Sequence, residues 1–117
     1  MISLTVIATI LLMHWVADFV CQTDKMARNK SKSLKWLTIH ALTYILIFTP
    51  LWIGGYVPFA WIAINFVAHW YTDFVTSRIS SHFYKEGKIH QFFVVVGADQ
   101  VIHYMTLFFT YAWLTLR

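Results

Sequence analysis

Histidine and aspartate set four positions apart inside apolar runs carry the chemistry open to this chain. Residues 14–19 read His-Trp-Val-Ala-Asp-Phe and residues 69–74 read His-Trp-Tyr-Thr-Asp-Phe, so the pattern H-W-x-x-D-F occurs twice. Positions i and i+4 of a helix share a face about one turn apart. That sets His14 over Asp18 and His69 over Asp73. The spacing returns reversed at Asp99 and His103, and His40 lies in an apolar run between the two copies. Imidazole and carboxylate together suit Zn²⁺, Mn²⁺, Fe²⁺ or Ni²⁺. His14, Asp18, His40, His69, Asp73, Asp99 and His103 are therefore the candidate metal ligands, enough for one or two divalent ions, with zinc the leading choice. Asp18, Asp73 and Asp99 are also the candidate catalytic residues, since a carboxylate left out of the ligand set could serve as general base.

The rest of the chain must place these groups in a membrane. It has 117 residues, 59% hydrophobic and 19% aromatic, with 12% charged. A soluble domain carries about 25% charged residues and needs them for its surface. The composition points to an integral membrane protein. Cys21 is the single cysteine, so no intrachain disulfide forms and the compartment is not constrained. No Lys or Arg precedes the first apolar run, and His14 and Asp18 lie inside it, so a cleavable signal peptide is not expected.

Four apolar segments are expected as helices, at about 2–22, 36–53, 57–77 and 89–116. A span needs roughly 20 residues, and the fourth is long enough to tilt or to begin as an interfacial turn. The expected fold is an all-α integral membrane protein. It forms a four-transmembrane-helix bundle, 1–117 as a single domain, built from two helical hairpins with internal duplication as a plausible origin. Lys25, Arg28, Lys30, Lys32 and Lys35 lie between the first two segments, and Arg78, Lys85 and Lys88 between the last two. The uncharged stretch Pro50 to Pro58, with Gly54-Gly55, reads as a turn. The positive-inside rule puts both basic loops, 23–35 and 78–88, in the cytoplasm and both termini outside it. This implies a multi-pass membrane protein. Trp36, Trp52, Tyr56, Trp61, Tyr111 and Trp113 read as interfacial aromatics.

At about 1.5 Å per helical residue, Asp18, Asp73, Asp99 and His40 form a layer nearer the cytoplasm. His14, His69 and His103 lie one turn deeper. An Asp at the centre of a spanning helix costs about 2.5–3.5 kcal/mol, so these groups must face the bundle interior and find partners. Asn65, Gln22 and Gln100 stand close enough in sequence to orient them. A single intramembrane His or Asp is as well explained as interhelical glue. Convergence of four imidazoles and three carboxylates at one depth favours a metal site over that reading, and over a proton relay. The loop histidines His82 and His90, Cys21, and the residues Met13 and Met105 read as solvated or packing residues. The basic loops read mainly as topology signals and anchors to anionic headgroups, and a phosphate-binding role is the sharper alternative. No Gly-rich phosphate loop, nucleophile elbow or C-x-x-C occurs.

The motifs His14-x-x-x-Asp18-Phe19-x-x-Gln22, Met26-Ala27-x-x-Lys30, His40, His69-x-x-x-Asp73 and Asp99-Gln100-x-x-His103 together resemble a family of small bacterial and phage membrane proteins. That family is catalogued as domain of unknown function 3307. The resemblance covers nearly the whole chain and brings no activity with it. A weaker likeness is to membrane-bound metal-dependent hydrolases, whose own His-rich signatures are not reproduced. The reading favoured from the residues is a membrane-embedded His/Asp metal site facing the cytoplasmic leaflet and used for hydrolysis, with water activated by the ion as nucleophile. Its expected partners are membrane lipids, with a lipid phosphate or other membrane-associated molecule as substrate. No nucleic acid is expected, and homo-oligomerisation is left open. The alternatives are a metal or proton transporter, and a non-enzymatic phage or bacterial interaction protein with a structural polar layer. Only Thr9, Thr5 and Ser3 continue a polar path beyond His14, which weighs against transport.

Overall fold

The computed structural model describes residues 2–116; positions 1 and 117 of the expected domain lie outside them. Among the described residues the regular elements are all helical. They run in the order α1 (Leu4–Trp15), a π-helical segment (Val16–Val20), α2 (Asp24–Asn29), α3 (Leu34–Ile53), α4 (Phe59–Lys85) and α5 (Ile89–Thr115). Side-chain caps start the first three α-helices: Ser3 Oγ accepts from Val6 N, Thr23 Oγ1 from Met26 N, and Ser33 Oγ from Trp36 N. Gly55 and Gly87, at φ of +80° and +73°, supply the left-handed residues that turn α3 into α4 and α4 into α5.

Several sequence expectations are corrected. The basic stretch 23–35 is not all loop, because Thr23 caps α2 and Met26 anchors it in the interior. Pro50 lies inside α3, which runs on to Ile53. Near a helix end a proline removes one bond without ending the rod. The third helix does not stop at residue 77 but continues to Lys85. No glycine or proline interrupts it before Gly87, so the basic stretch 78–88 is largely helix.

Of the four expected spans, two, α3 and α5, are long and apolar enough by themselves to cross a bilayer. The apolar helix Leu4–Val20 is shorter, and α4 dilutes its apolar length with Asn65, His69, Asp73, Ser77 and Arg78.

The bundle is polar inside and apolar outside. Leu12, Trp15, Leu42, Leu46, Val67, Tyr71, Val101 and Phe109 are exposed, while His14, His40, His69, Asp73 and His103 are buried. At one end Ile10, Phe48, Trp61 and Leu107 close a dry core. Trp61 is fully buried and its Nε1 donates to Leu107 O, which corrects its reading as an interfacial aromatic. Helix α4 packs on both α3 and α5, and the π segment packs on α3.

Candidate metal centre

Helical periodicity delivers the site. The buried residues of α4 include Trp61, Asn65, His69, Asp73 and Ser77, one every four residues along one face. Helix α5 turns Asp99, His103 and Leu107 inward, and α3 does the same with His40, Tyr44 and Phe48. The first copy of the motif is wound differently. His14 ends α1, and Asp18 sits in the π segment, where Cys21 N donates to Val16 O. Such wide turns recur at functional sites because they re-aim side chains.

All seven sequence-derived residues meet in one cluster. His40 Nε2 lies 2.9 Å from Asp18 Oδ1 and 3.1 Å from Asp73 Oδ2. His69 Nε2 lies 3.2 Å from Asp73 Oδ2 and 3.8 Å from Asp18 Oδ1. On the other side, His103 Nε2 lies 3.1 Å from Asp73 Oδ1, 3.1 Å from Asp99 Oδ2 and 4.0 Å from Asp18 Oδ2. His14 Nε2 stands 3.6 Å from Asp18 Oδ2.

Two groups of potential ligands result, Asp18, His40, His69 and Asp73 in one and Asp18, Asp99 and His103 in the other, with ligand atoms within 4.8 Å of one another in each. Ligands at about 2.0–2.2 Å from a tetrahedral ion stand roughly 3.3–3.6 Å apart. Within the two groups the His–Asp spacings run from 2.9 to 4.0 Å, most of them at hydrogen-bond length, so the side chains would have to part by a few tenths of an ångström to admit a cation.

Proton counting points the same way. The single Nε2 of His40 faces two carboxylate oxygens, as does that of His103, yet a neutral imidazole nitrogen carries at most one proton. His14 Nδ1 and Nε2 and His69 Nδ1 and Nε2 are buried without a hydrogen-bond partner. Each such atom costs about 1–3 kcal/mol if left unmet. A cation accepting the Nε2 lone pairs and separating the carboxylates would relieve the first problem and the Nε2 half of the second, leaving Nδ1 of His14, His40 and His69 unpartnered. These buried His and Asp groups could hold a metal ion.

Sequence reasoning missed part of the surroundings. Lys30, read as a topology signal, reaches in from the end of α2, and its Nζ lies 3.3 Å from Asp73 Oδ2. Burial works against the Lys30 ammonium, but the carboxylates of Asp73, Asp18 and Asp99 outweigh it and hold its pKa above 10.5. The sequence hint was its place in the motif Met26-Ala27-x-x-Lys30. Tyr44 stacks on His69 with ring centroids 3.7 Å apart, and Tyr104 meets His14 edge-on at 4.7 Å. Thr76 Oγ1 donates to Asp99 Oδ1.

Gln100 does orient the acids, donating to Asp18 Oδ2 at 3.4 Å and to Asp99 Oδ2 at 3.0 Å. Asn65 does not reach His69. Its amide donates instead to Trp61 O and Thr110 Oγ1, on the side of the dry core.

A family model described as a protein of unknown function, DUF3307, matches residues 6–117. The chain belongs to this family. No curated protein and no solved structure matches it, so the likeness to membrane-bound metal-dependent hydrolases is without support. In this DUF3307 member the cluster borders a chamber of about 580 Å³, reached from the end where α2 and the α4–α5 turn lie. Asp18, Asp99 and Gln100 line it, together with Lys30, Ser77 and Phe92.

Proposed function

We propose that this protein is a membrane-embedded metal-dependent hydrolase with a carboxylate-bridged pair of divalent ions, zinc by preference. One observation carries the reading: Asp18 and Asp73 each turn one oxygen toward His40 and the other toward His103. One ion would be held by His40, His69, Asp18 and Asp73. The second would be held by His103, Asp99 and the far oxygen of Asp18, with His14 beside it. When bound, such ions polarise the substrate and make water a competent nucleophile near neutral pH. Asp99 belongs to one group alone and borders the chamber, so it would present the second ion to a substrate there. Thr76 and Gln100 hold it in position.

In this reading α1 with its π segment, α3, α4 and α5 all cross the inner membrane of a bacterium. The shorter and more polar crossings, α1 and α4, are sheltered by α3 and α5. The outward-facing apolar side chains support a lipid surround. The basic end faces the cytoplasm and both termini face the other side. Transport is the weaker reading. Beyond the histidines the interior is closed by Ile10, Phe48, Trp61 and Leu107, each at most 1% exposed, so no polar path continues.

The test is paired. Metal per chain is measured by mass spectrometry after gentle purification, and thermal stability is measured with and without chelator. Stoichiometric metal and a chelator-lowered midpoint are expected, because an ion bound only to the folded state stabilises it. Absence of metal together with an unchanged midpoint would sink the reading in favour of interhelical glue.

A further inference from the structure

The chamber above the carboxylates has a makeup that the metal centre does not need for itself. Four cationic side chains line it, Arg28, Lys30, Lys32 and Lys85, drawn from two separate stretches of the chain. Hydroxyls of Ser31, Ser77 and Ser81 line it as well, while those of Thr76 and Ser80 already donate to Asp99 Oδ1 and Ser77 O. Ser77 is 7% exposed and its Oγ has no hydrogen-bond partner. One wall is apolar, built by Phe92, Val95 and Val96 of α5. The backbones of α2 and the π segment do not pack against α5; between the π segment and α5 the side chains of Asp18, Gln100 and His103 make the contact. Its volume falls within the about 300–1,000 Å³ of small-molecule sites.

Taken together, these features identify a ligand class. Cations and hydroxyl donors arranged around a space suit a tetrahedral oxyanion better than a flat carboxylate, which offers fewer acceptor directions. Formal charge agrees. With two divalent ions bound, the three carboxylates and Lys30 would leave two positive charges before Arg28, Lys32 and Lys85 at the rim are counted, an excess that a phosphate dianion would meet. The apolar wall then provides for a chain attached to that phosphate. We propose that the chamber binds a phosphate-terminated membrane amphiphile, its headgroup against Lys30, Ser77 and the rim cations and its chain leaving along Phe92, Val95 and Val96. This rests on the hydrolase reading for its chemistry, making the substrate a lipid phosphate ester, but it is read out by binding alone.

The test uses the full chain in neutral detergent micelles, with calorimetric titration in metal-loaded and in chelator-treated protein. The probes are short-chain phosphatidic acid, glycerol 3-phosphate, inorganic phosphate and short-chain phosphatidylcholine. Phosphatidic acid is expected to bind about tenfold or more tighter than the two soluble phosphates, and phosphatidylcholine not measurably. The double variant Arg28→Gln/Lys32→Gln changes two exposed residues and should weaken phosphatidic acid about tenfold or more, since each cation near an anionic headgroup contributes appreciably. Phe92→Ser should bring phosphatidic acid down to the level of glycerol 3-phosphate and leave the latter unchanged. Equal binding of phosphatidic acid and phosphatidylcholine would overturn the proposal, as would indifference to the rim variant in both metal states. Inorganic phosphate binding as tightly as phosphatidic acid would overturn the amphiphile and leave a free-phosphate site in its place. Metal content of the same samples reports separately on the hydrolase reading, so the two failures are distinguishable.

Discussion

Asp18 and Asp73, the aspartates of the two motif copies, each stand between His40 and His103. The distances to His40 are 2.9 and 3.1 Å, and those to His103 are 4.0 and 3.1 Å. Each copy thus supplies a carboxylate shared by both halves of the chain. Neither half holds a complete set of ligands, so the centre forms only when the helices from both halves have packed.

Shared and unshared carboxylates should respond differently to the same change. Asp18→Asn removes the group common to both candidate sites, and metal content should fall from about two per chain to near zero. Asp99→Asn touches one group and should leave about one ion. Both substitutions keep shape and lose charge. Mass spectrometry of the two variants decides the matter, and equal losses would argue against bridging. In the wild-type chain occupancy should fall on acidification, because imidazole and carboxylate bind metal deprotonated.

Lys30 should act in opposite directions on metal and on the metal-free fold. Its ammonium sits 3.3 Å from Asp73 Oδ2, where it repels an incoming cation and compensates the carboxylates when none is bound. Lys30→Met should tighten metal binding about tenfold. It should destabilise the chelated protein by about 1.5–3 kcal/mol, the range for a hydrogen bond to a charged group. Competition with a fluorescent chelator and thermal melts of chelated protein measure the two effects. A change of both in the same direction would contradict this role.

Asn65 should prove separable from the centre. Its amide ties α4 to α5 through Thr110, and an interhelical bond of this kind contributes about 0.6–2 kcal/mol. Asn65→Leu should lower the thermal midpoint modestly and leave metal content unchanged. Lost metal would show that the polar layer extends further than the geometry assigns.

The orientation can be read by accessibility. In a Cys21→Ala background, Tyr56→Cys should react with an impermeant thiol reagent added to intact cells, and Lys25→Cys only after lysis. Both native side chains are exposed. The reverse pattern would invert the assigned topology.

Depth and period were enough to find the cluster in the sequence, because an ionisable group inside an apolar run has few places to go. His14, Asp18, His40, His69 and Asp73 could each be assigned to a layer by counting from the basic ends, and Asp99 and His103 only by letting the fourth segment begin as an interfacial turn, whereas α5 is helical from Ile89. The same counting misjudged residues whose reach or environment is set by tertiary packing. Lys30 was read by its charge, but its side chain is long and flexible enough to leave the loop and enter the cluster. Trp61 lies near a segment end, where indoles favour the interface, yet a backbone acceptor at Leu107 draws it inside. Asn65 shares a face with His69 but lies a turn nearer Thr110 and the dry core. The polar tail of α4 carries no strong apolar period, so its helical continuation to Lys85 was not legible.

The π-helical turn means that one spelling is wound in two ways. His69 to Phe74 is plain α-helix, while His14 to Phe19 passes from α into the wider winding at Val16. Removing one residue from Val16–Val20 would restore the narrower coil and swing everything before it by roughly 100° about the helix axis. Where the residue removed is Val20, every residue of the pattern keeps its place, yet His14 and Asp18 would turn together away from His40 and His103. The two copies are therefore not interchangeable parts: equal letters aim according to the winding that follows them.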